Sequence, residues 1–213
     1  MLLSSRDEVR AFYEEAADGY NQMMDEEIKL PLYTEVLSGL AGRIRSVDGP
    51  VLDTSCGSGH MLEKLRDEYI HGRQLLGVDL SPKMVAIARA RLGDAAAISE
   101  ADMRNLSHLP DHLCAALISF FSLHHIDAGD LACCFAEWHR VLVPGGQLIV
   151  ATWEGEGAID YGNQADIFAR RYTESELGEA VEGAGFQIDS RSVIPVEGFE
   201  MDALYIAATK NAP

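Results

Sequence analysis

The first residues in this 213-residue chain whose types and spacing could do chemistry are a glycine-rich turn and the acids around it. The turn reads Asp53-Thr54-Ser55-Cys56-Gly57-Ser58-Gly59-His60 and follows the apolar pair Val51-Leu52. Small residues there let the backbone approach a ligand and turn tightly into a helix, although such turns also arise wherever a strand simply feeds a helix. The dinucleotide fingerprint needs G-x-G-x-x-G. From Gly57 this chain reads G-S-G-H-M-L, without the third glycine. Asp53, at the mouth of the turn, suits a cation and sits poorly beside a pyrophosphate. Asp79 follows Gly59 by 20 residues, the place from which a carboxylate accepts hydrogen bonds from both hydroxyls of a ribose. The alternative is a cap on the next helix, but Ser81 fills that role. The tandem pair His124-His125 has no carboxylate or cysteine at ligand spacing, so no metal is expected. One of the two lining an acceptor pocket, as base or donor, stands against both simply capping a turn.

The elements that must position these groups alternate. Apolar residues at helical spacing mark helices over residues 8–20 and 27–44. Strands are expected over 51–53, 75–80, 96–100, 116–121 and 147–152, each after the first preceded by a helical stretch or a loop. Ser81-Pro82 opens one helix as cap and first-turn proline. Residues 127–142 carry the apolar stripe Leu131, Phe135, Trp138, Leu142 and end at Pro144-Gly145-Gly146. Thr173-Glu174-Ser175-Glu176 is a capping box, and residues 186–196 and 201–209 close the chain as a hairpin. Strands alternating with helices argue for a parallel sheet covered on both faces, with ligands outside the carboxyl ends of its strands.

The segments VLDTSCGSGH, LLGVDLSPKMVAIARARL, EADMRNL, LISFFSLHHI and HRVLVPGGQLIVATW resemble, in order and spacing, the motifs of the class I methyltransferases that use S-adenosylmethionine, over roughly residues 7–210. The resemblance implies an α/β fold: a doubly wound, Rossmann-like, seven-stranded sheet, mostly parallel, with a C-terminal antiparallel hairpin and an N-terminal helical lid. It implies one domain, with the lid over 1–45, the cofactor-binding core over 46–152, a substrate-side loop over 153–172, and the last helix and hairpin over 173–213. Carried over residue by residue, Asp53, Thr54, Ser55, Gly57 and Gly59 would line the methionine portion of S-adenosylmethionine, and Asp79 would hold its ribose. Leu80 and Met84 would pack on the adenine, and Asp102 and Met103 would meet its amino edge. Ser119 and Phe120 would lie below the sulfonium, with Tyr20 reaching in from the lid. Core packing is the alternative for Met84 and Met103, and packing under the lid for Tyr20. Alternation alone does not say whether Phe120 or Phe121 faces the ligand. Ser55 stands where the family usually has glycine, which implies a slightly displaced loop.

Composition narrows the partners. Seventeen Lys and Arg against 34 Asp and Glu give a net charge of -17, without the basic cluster that phosphate backbones require. The base-methylating Asn/Asp-Pro-Pro-Tyr/Phe tetrapeptide is also absent, Ser119-Phe120-Phe121-Ser122 standing in its place. Nucleic acid and membrane are therefore not expected partners; a small-molecule methyl acceptor is. The start MLLSSRDEV turns acidic too soon for a secretory signal, and four cysteines without a CxxC pair read as reduced thiols, so a cytoplasmic protein is expected. Direct displacement needs alignment above all, and a base only if the nucleophile arrives protonated, so no catalytic residue is assigned. Glu154, Glu156, Asp160 and Asp166, with Trp153 and Tyr161, favour a cationic or neutral acceptor, whereas Arg170 and Arg171 would suit a carboxylate. The rival readings are a nicotinamide oxidoreductase and a non-catalytic cofactor-binding scaffold or sensor.

Overall fold

The computed structural model describes residues 3–160, 167–196 and 201–211. Helix α1 (Arg6–Glu27) opens on a complete capping box between Ser5 and Glu8 and buries Val9, Ala17 and Met24. Helix α2 (Pro31–Arg43) starts four residues later than the expected 27, and α1 runs on to Glu27. The proline explains the break: lacking an N–H, it is tolerated in the first turn of a helix and not in its interior.

Strands β1 (Val51–Asp53), β2 (Leu75–Asp79), β3 (Ala96–Glu100), β4 (Cys114–Phe120) and β5 (Leu142–Trp153) are parallel neighbours in the order β3-β2-β1-β4-β5. Helices α3 (His60–Lys64, continued by a π turn to Tyr69), α4 (Pro82–Leu92) and α5 (Ala128–Val141) connect them. Strand β5 is longer than the expected 147–152 because Leu142 already pairs with Cys114. The register then shifts across Pro144-Gly145-Gly146 before Gln147 meets Ala116. Helix α6 (Glu174–Gly183) follows the Thr173–Glu176 capping box. Strands β8 (Phe186–Pro195) and β9 (Asp202–Lys210) then complete the seven-stranded sheet as an antiparallel pair, with β9 against β5. The doubly wound sheet with its antiparallel closure is thus as the sequence implies.

One expectation needs correction. The 153–172 stretch, read as a loop, holds a second, two-stranded sheet, β6 (Ala158–Asp160) against β7 (Phe168–Arg170). Three-residue strands are too short to show a period of two. The isolated bridge Glu154–Tyr172 and the buried Tyr172, whose hydroxyl donates to the Ile126 carbonyl, fasten this stretch to the turn after β4.

Alternation along the strands fills two cores, one on each face. Leu52 and Leu117 point into the layer of Phe135, Trp138 and Leu177 from α5 and α6. Val51 and Ile118 point into the layer of Leu37, Leu40, Leu62 and Ala88 from α2, α3 and α4. A sheet buried on both faces leaves only its strand ends for chemistry, and its order reverses between β1 and β4.

Candidate functional site

A cleft of about 290 Å³ lies at that reversal, near the lower size limit of small-molecule sites. Ten of the thirteen expected site residues line it: Tyr20, Thr54, Ser55, Gly57, Asp79, Leu80, Met84, Asp102, Met103 and Phe120. Asp53, Gly59 and Ser119 do not.

The three departures have plain physical causes. Asp53 is buried beneath the turn and accepts the Ser55 N–H at 3.1 Å. Gly59 has φ +89, and a Cβ there would come within 3.3 Å of the Ala88 Cα, so it serves the close packing of the turn on α4. Ser119 is fully buried, and its hydroxyl bonds that of Ser122 at 2.9 Å, while Ser122 itself reaches the cleft. Ser55 joins the same chain of hydroxyls, donating to Ser122 at 2.8 Å. The side chain that replaces glycine therefore ties the turn to the end of β4.

Asp79 organises the floor. One carboxylate oxygen accepts the Gly57 N–H at 2.8 Å and the other accepts the Ser81 N–H at 2.9 Å. Burial pushes its pKa up, against the pull of the Ser81, Gly57 and Leu80 amides. Asp53 is pushed up to about 7 by burial, with the Ser55 amide opposing and the Asp79 charge adding. Gly57 has φ +51, and a Cβ there would lie 3.2 Å from the Tyr20 ring, so a side chain at 57 would meet helix α1. The floor thus concentrates negative charge and presents no cation to a phosphate.

The far end is an apolar slot of Leu80, Met84, Ala101, Met103, Val9 and Ile126. Asp102 stands at its edge, but Arg104 engages both its oxygens, at 3.0 Å and 2.7 Å, and also reaches Asp130 at 2.8 Å. Burial would raise Asp102, but the Arg104 bonds outweigh it and hold the carboxyl below its usual range. The sequence reading missed Arg104 and Asp130, because an Asp-x-Arg pair in a loop carries no periodic signal.

Helix α1 roofs the cleft with Val9, Tyr13 and Tyr20. It is held down by Glu14, which accepts from the Ser81 hydroxyl at 2.7 Å and the Lys83 N–H at 3.2 Å. Asp25 accepts from His60 and Arg91, at 2.8 and 2.9 Å. At the end of β4 both Phe120 and Phe121 line the cleft, which answers what alternation could not. Phe121 achieves this with φ +46, a conformation costly for a bulky residue, its N–H bonded to the Ala151 carbonyl at 2.8 Å. His125 lines the cleft and bonds Tyr13; His124 is buried behind it, its pKa held well below the ordinary value by burial and by His125. No metal-ligating cluster exists among the described residues.

Of the acidic residues expected near the acceptor, Glu154 and Glu156 stand outside the cleft wall, as does Trp153, which stacks on Phe121 at 4.7 Å. Tyr161 and Asp166, and the side chain of Asp160, lie outside the described residues. Arg170 is paired with Glu176 and lies over the Tyr172 ring, and Arg171 packs near Gly155. No described helix is long and apolar enough to cross a membrane.

Comparison with known proteins agrees with this geometry. Residues 51–146 match the family model described as a methyltransferase domain. A malonyl-(acyl-carrier protein) O-methyltransferase of Hahella chejuensis is 28% identical over 159 residues, 68% of this chain and 53% of that protein. The chain thus spans about half the length of the curated relatives it matches. Among solved structures, the Burkholderia thailandensis 1,6-didemethyltoxoflavin N1-methyltransferase, bound to its substrate and S-adenosylhomocysteine, superposes with a TM-score of 0.77 at 21% identity. That match covers 100% of this chain and 93% of the other. A chain from the Haloferax volcanii complex containing the Trm112 methyltransferase activator gives 0.75 at 22% identity, covering 99% of each.

Proposed function

We propose that this chain is a class I methyltransferase that binds S-adenosylmethionine under α1 and transfers its methyl group by direct displacement to a small-molecule acceptor. The observation that carries this reading is the floor of the cleft, where Asp79 grips the glycine turn through the Gly57 N–H and faces the crevice with Asp53 buried behind it. Two carboxylates suit a ligand with cationic sulfonium and ammonium groups and two ribose hydroxyls; they repel a pyrophosphate. The apolar slot accepts a flat base, and Leu80 and Met84 would hold it there. When bound, the cofactor supplies an electrophilic methyl; the chain's share is to align the acceptor and exclude water, which is worth roughly 7–11 kcal/mol of the barrier. Incubation with methyl-labelled S-adenosylmethionine and a metabolite extract tests the reading. Label moves to a small molecule if it is right and stays on the cofactor if the chain is only a binder.

Asp79→Ala is expected to weaken S-adenosylmethionine binding by about 1.5–3 kcal/mol, the usual range for hydrogen bonds to a charged group. Titration of the variant at unchanged affinity would mean that Asp79 does not hold the ribose.

Binding is also expected to release protons near neutral pH. Asp53 titrates at about 7 in the folded chain, against roughly 3.9 when unfolded. The folded form therefore keeps a proton that the unfolded chain gives up. The stability this adds is complete below the unfolded value and is lost as pH rises through about 7. A cationic ligand favours the carboxylate, so affinity rises between about pH 6 and 8, and the rise shrinks in Asp53→Asn. Calorimetry in two buffers of different ionisation enthalpy reads the proton release directly, and identical heats in both would disprove the coupling.

A further inference from the structure

We propose that Arg104 is a positioning residue for the cofactor's base: it locks the Asp102 carboxylate where that group meets the 6-amino group of an adenine, so that the cleft rejects the same cofactor carrying a 6-oxo base. This rests on the cofactor half of the reading above and adds to it the residue that decides which base is held.

Asp102 lies just beyond β3, outside any helix or ladder, in the wall that also holds Leu80, Met84 and Met103. The backbone around it is nonetheless pinned. The Ala101 N–H donates to the Asp79 carbonyl at 3.0 Å, the Trp138 indole N–H to the Met103 carbonyl at 3.0 Å, and the Asn105 N–H to the Asp102 carbonyl at 2.9 Å. What remains free is the Asp102 side chain, and Arg104 takes up that freedom. Oδ1 accepts the Arg104 backbone N–H at 2.9 Å and the Nε–H at 3.0 Å, while Oδ2 accepts from Nη2 at 2.7 Å. The guanidinium is held in turn at its far end, where Nη1 donates to Asp130 at 2.8 Å in the first turn of α5. A planar fork of this kind fixes the orientation of a carboxylate, which the point charge of a lysine does not. Arg6, the other arginine in the wall, is bonded to Asp7 and acts on Asp102 only through space.

Orientation matters because the two bases differ along one edge. Adenine presents an amino donor at C6 and a bare acceptor at N1, whereas a 6-oxo purine presents an acceptor and an N–H donor in the same two places. An ionised carboxylate only accepts. Free to swing, it would leave the 6-oxo oxygen and take the neighbouring N1–H instead. Clamped, it meets oxygen with oxygen. Arg104 serves in a second way. Burial pushes the Asp102 carboxyl up, toward the protonated form whose O–H could donate to a 6-oxo group, and the Arg104 bonds outweigh burial and hold it below its usual range. A site built to bond one group rejects the analogue without it, because its own polar atom is then left unpaired.

The test titrates the full chain with S-adenosylhomocysteine and with S-inosylhomocysteine, its 6-oxo counterpart, and reads the ratio of the two dissociation constants. The wild type should favour the adenine form by about tenfold to a hundredfold, the scale of a hydrogen bond to a charged group. Arg104→Gln should cut that preference below about threefold, and Arg104→Lys should cut it as far although it keeps the charge. Asp130→Asn, which frees only the far end of the guanidinium, should narrow the ratio in the same direction and carries the comparison should Arg104→Gln fail to fold. Asp102→Asn should abolish the preference, since its amide can turn an N–H toward the 6-oxo group. A merely structural role would weaken both ligands alike and leave the ratio untouched, and that result in the Arg104 variants overturns the proposal. So does an undiminished preference in Arg104→Lys or in Asp102→Asn, or a wild type that binds the two forms equally. Absence of binding of either ligand by the wild type is a different failure, that of the methyltransferase reading itself.

Discussion

Removal of residues 1–24 is expected to leave the sheet folded and to speed release of S-adenosylmethionine about a hundredfold. Folding survives because the buried residues of α1, Val9, Ala17 and Met24, belong to none of the core clusters that hold the sheet and its covering helices. Release accelerates because Val9, Tyr13 and Tyr20 form the roof. Losing that roof is expected to cost about 1.5–3 kcal/mol, the scale of burying one large apolar side chain. The ion pairs that dock α1, such as Asp18 with Lys83 at 2.9 Å, are exposed and add little of their own. Stopped-flow displacement checks the rate and circular dichroism the fold. Equal dissociation rates in the truncated and full-length chains would refute the lid.

The largest stability effect is expected at Trp138. Its ring is fully buried, packs edge-on against Phe135 at 5.1 Å, and donates its indole N–H to the Met103 carbonyl at 3.0 Å. Trp138→Ala should cost about 3–5 kcal/mol of unfolding free energy, as large aromatic truncations in cores do. Trp138→Phe keeps most of the packing and loses only the hydrogen bond, about 1 kcal/mol. Since Met103 lines the cleft, the phenylalanine variant should still bind the proposed cofactor more weakly than its stability loss suggests. Urea unfolding gives both numbers, and a loss under about 1 kcal/mol for the alanine variant would contradict the packing argument.

Most of the parallel strands were legible because their cores are short, mainly apolar runs that end in a turn, and the acids at those ends, Asp79 above all, mark the crevice. The short strands β6 and β7 were not, since three residues cannot display a period. Nor was the depth of a side chain. Asp53 was expected to face the ligand, but it sits a layer below, bound to the Ser55 amide. Ser119 likewise turns to Ser122, and Gly59 serves the packing on Ala88. Spacing along a strand end gives the place of a residue; whether its side chain reaches the cleft depends on neighbours far off in sequence. Arg104 taking up Asp102, and Tyr13 meeting His125, are contacts of that kind.

The central claim is that the cleft holds S-adenosylmethionine, and calorimetric titration of the full chain tests it most directly. Micromolar binding of S-adenosylmethionine and S-adenosylhomocysteine is expected, about -8 kcal/mol, with no heat from NAD. Binding of NAD, with no heat from either sulfur ligand, would contradict the account.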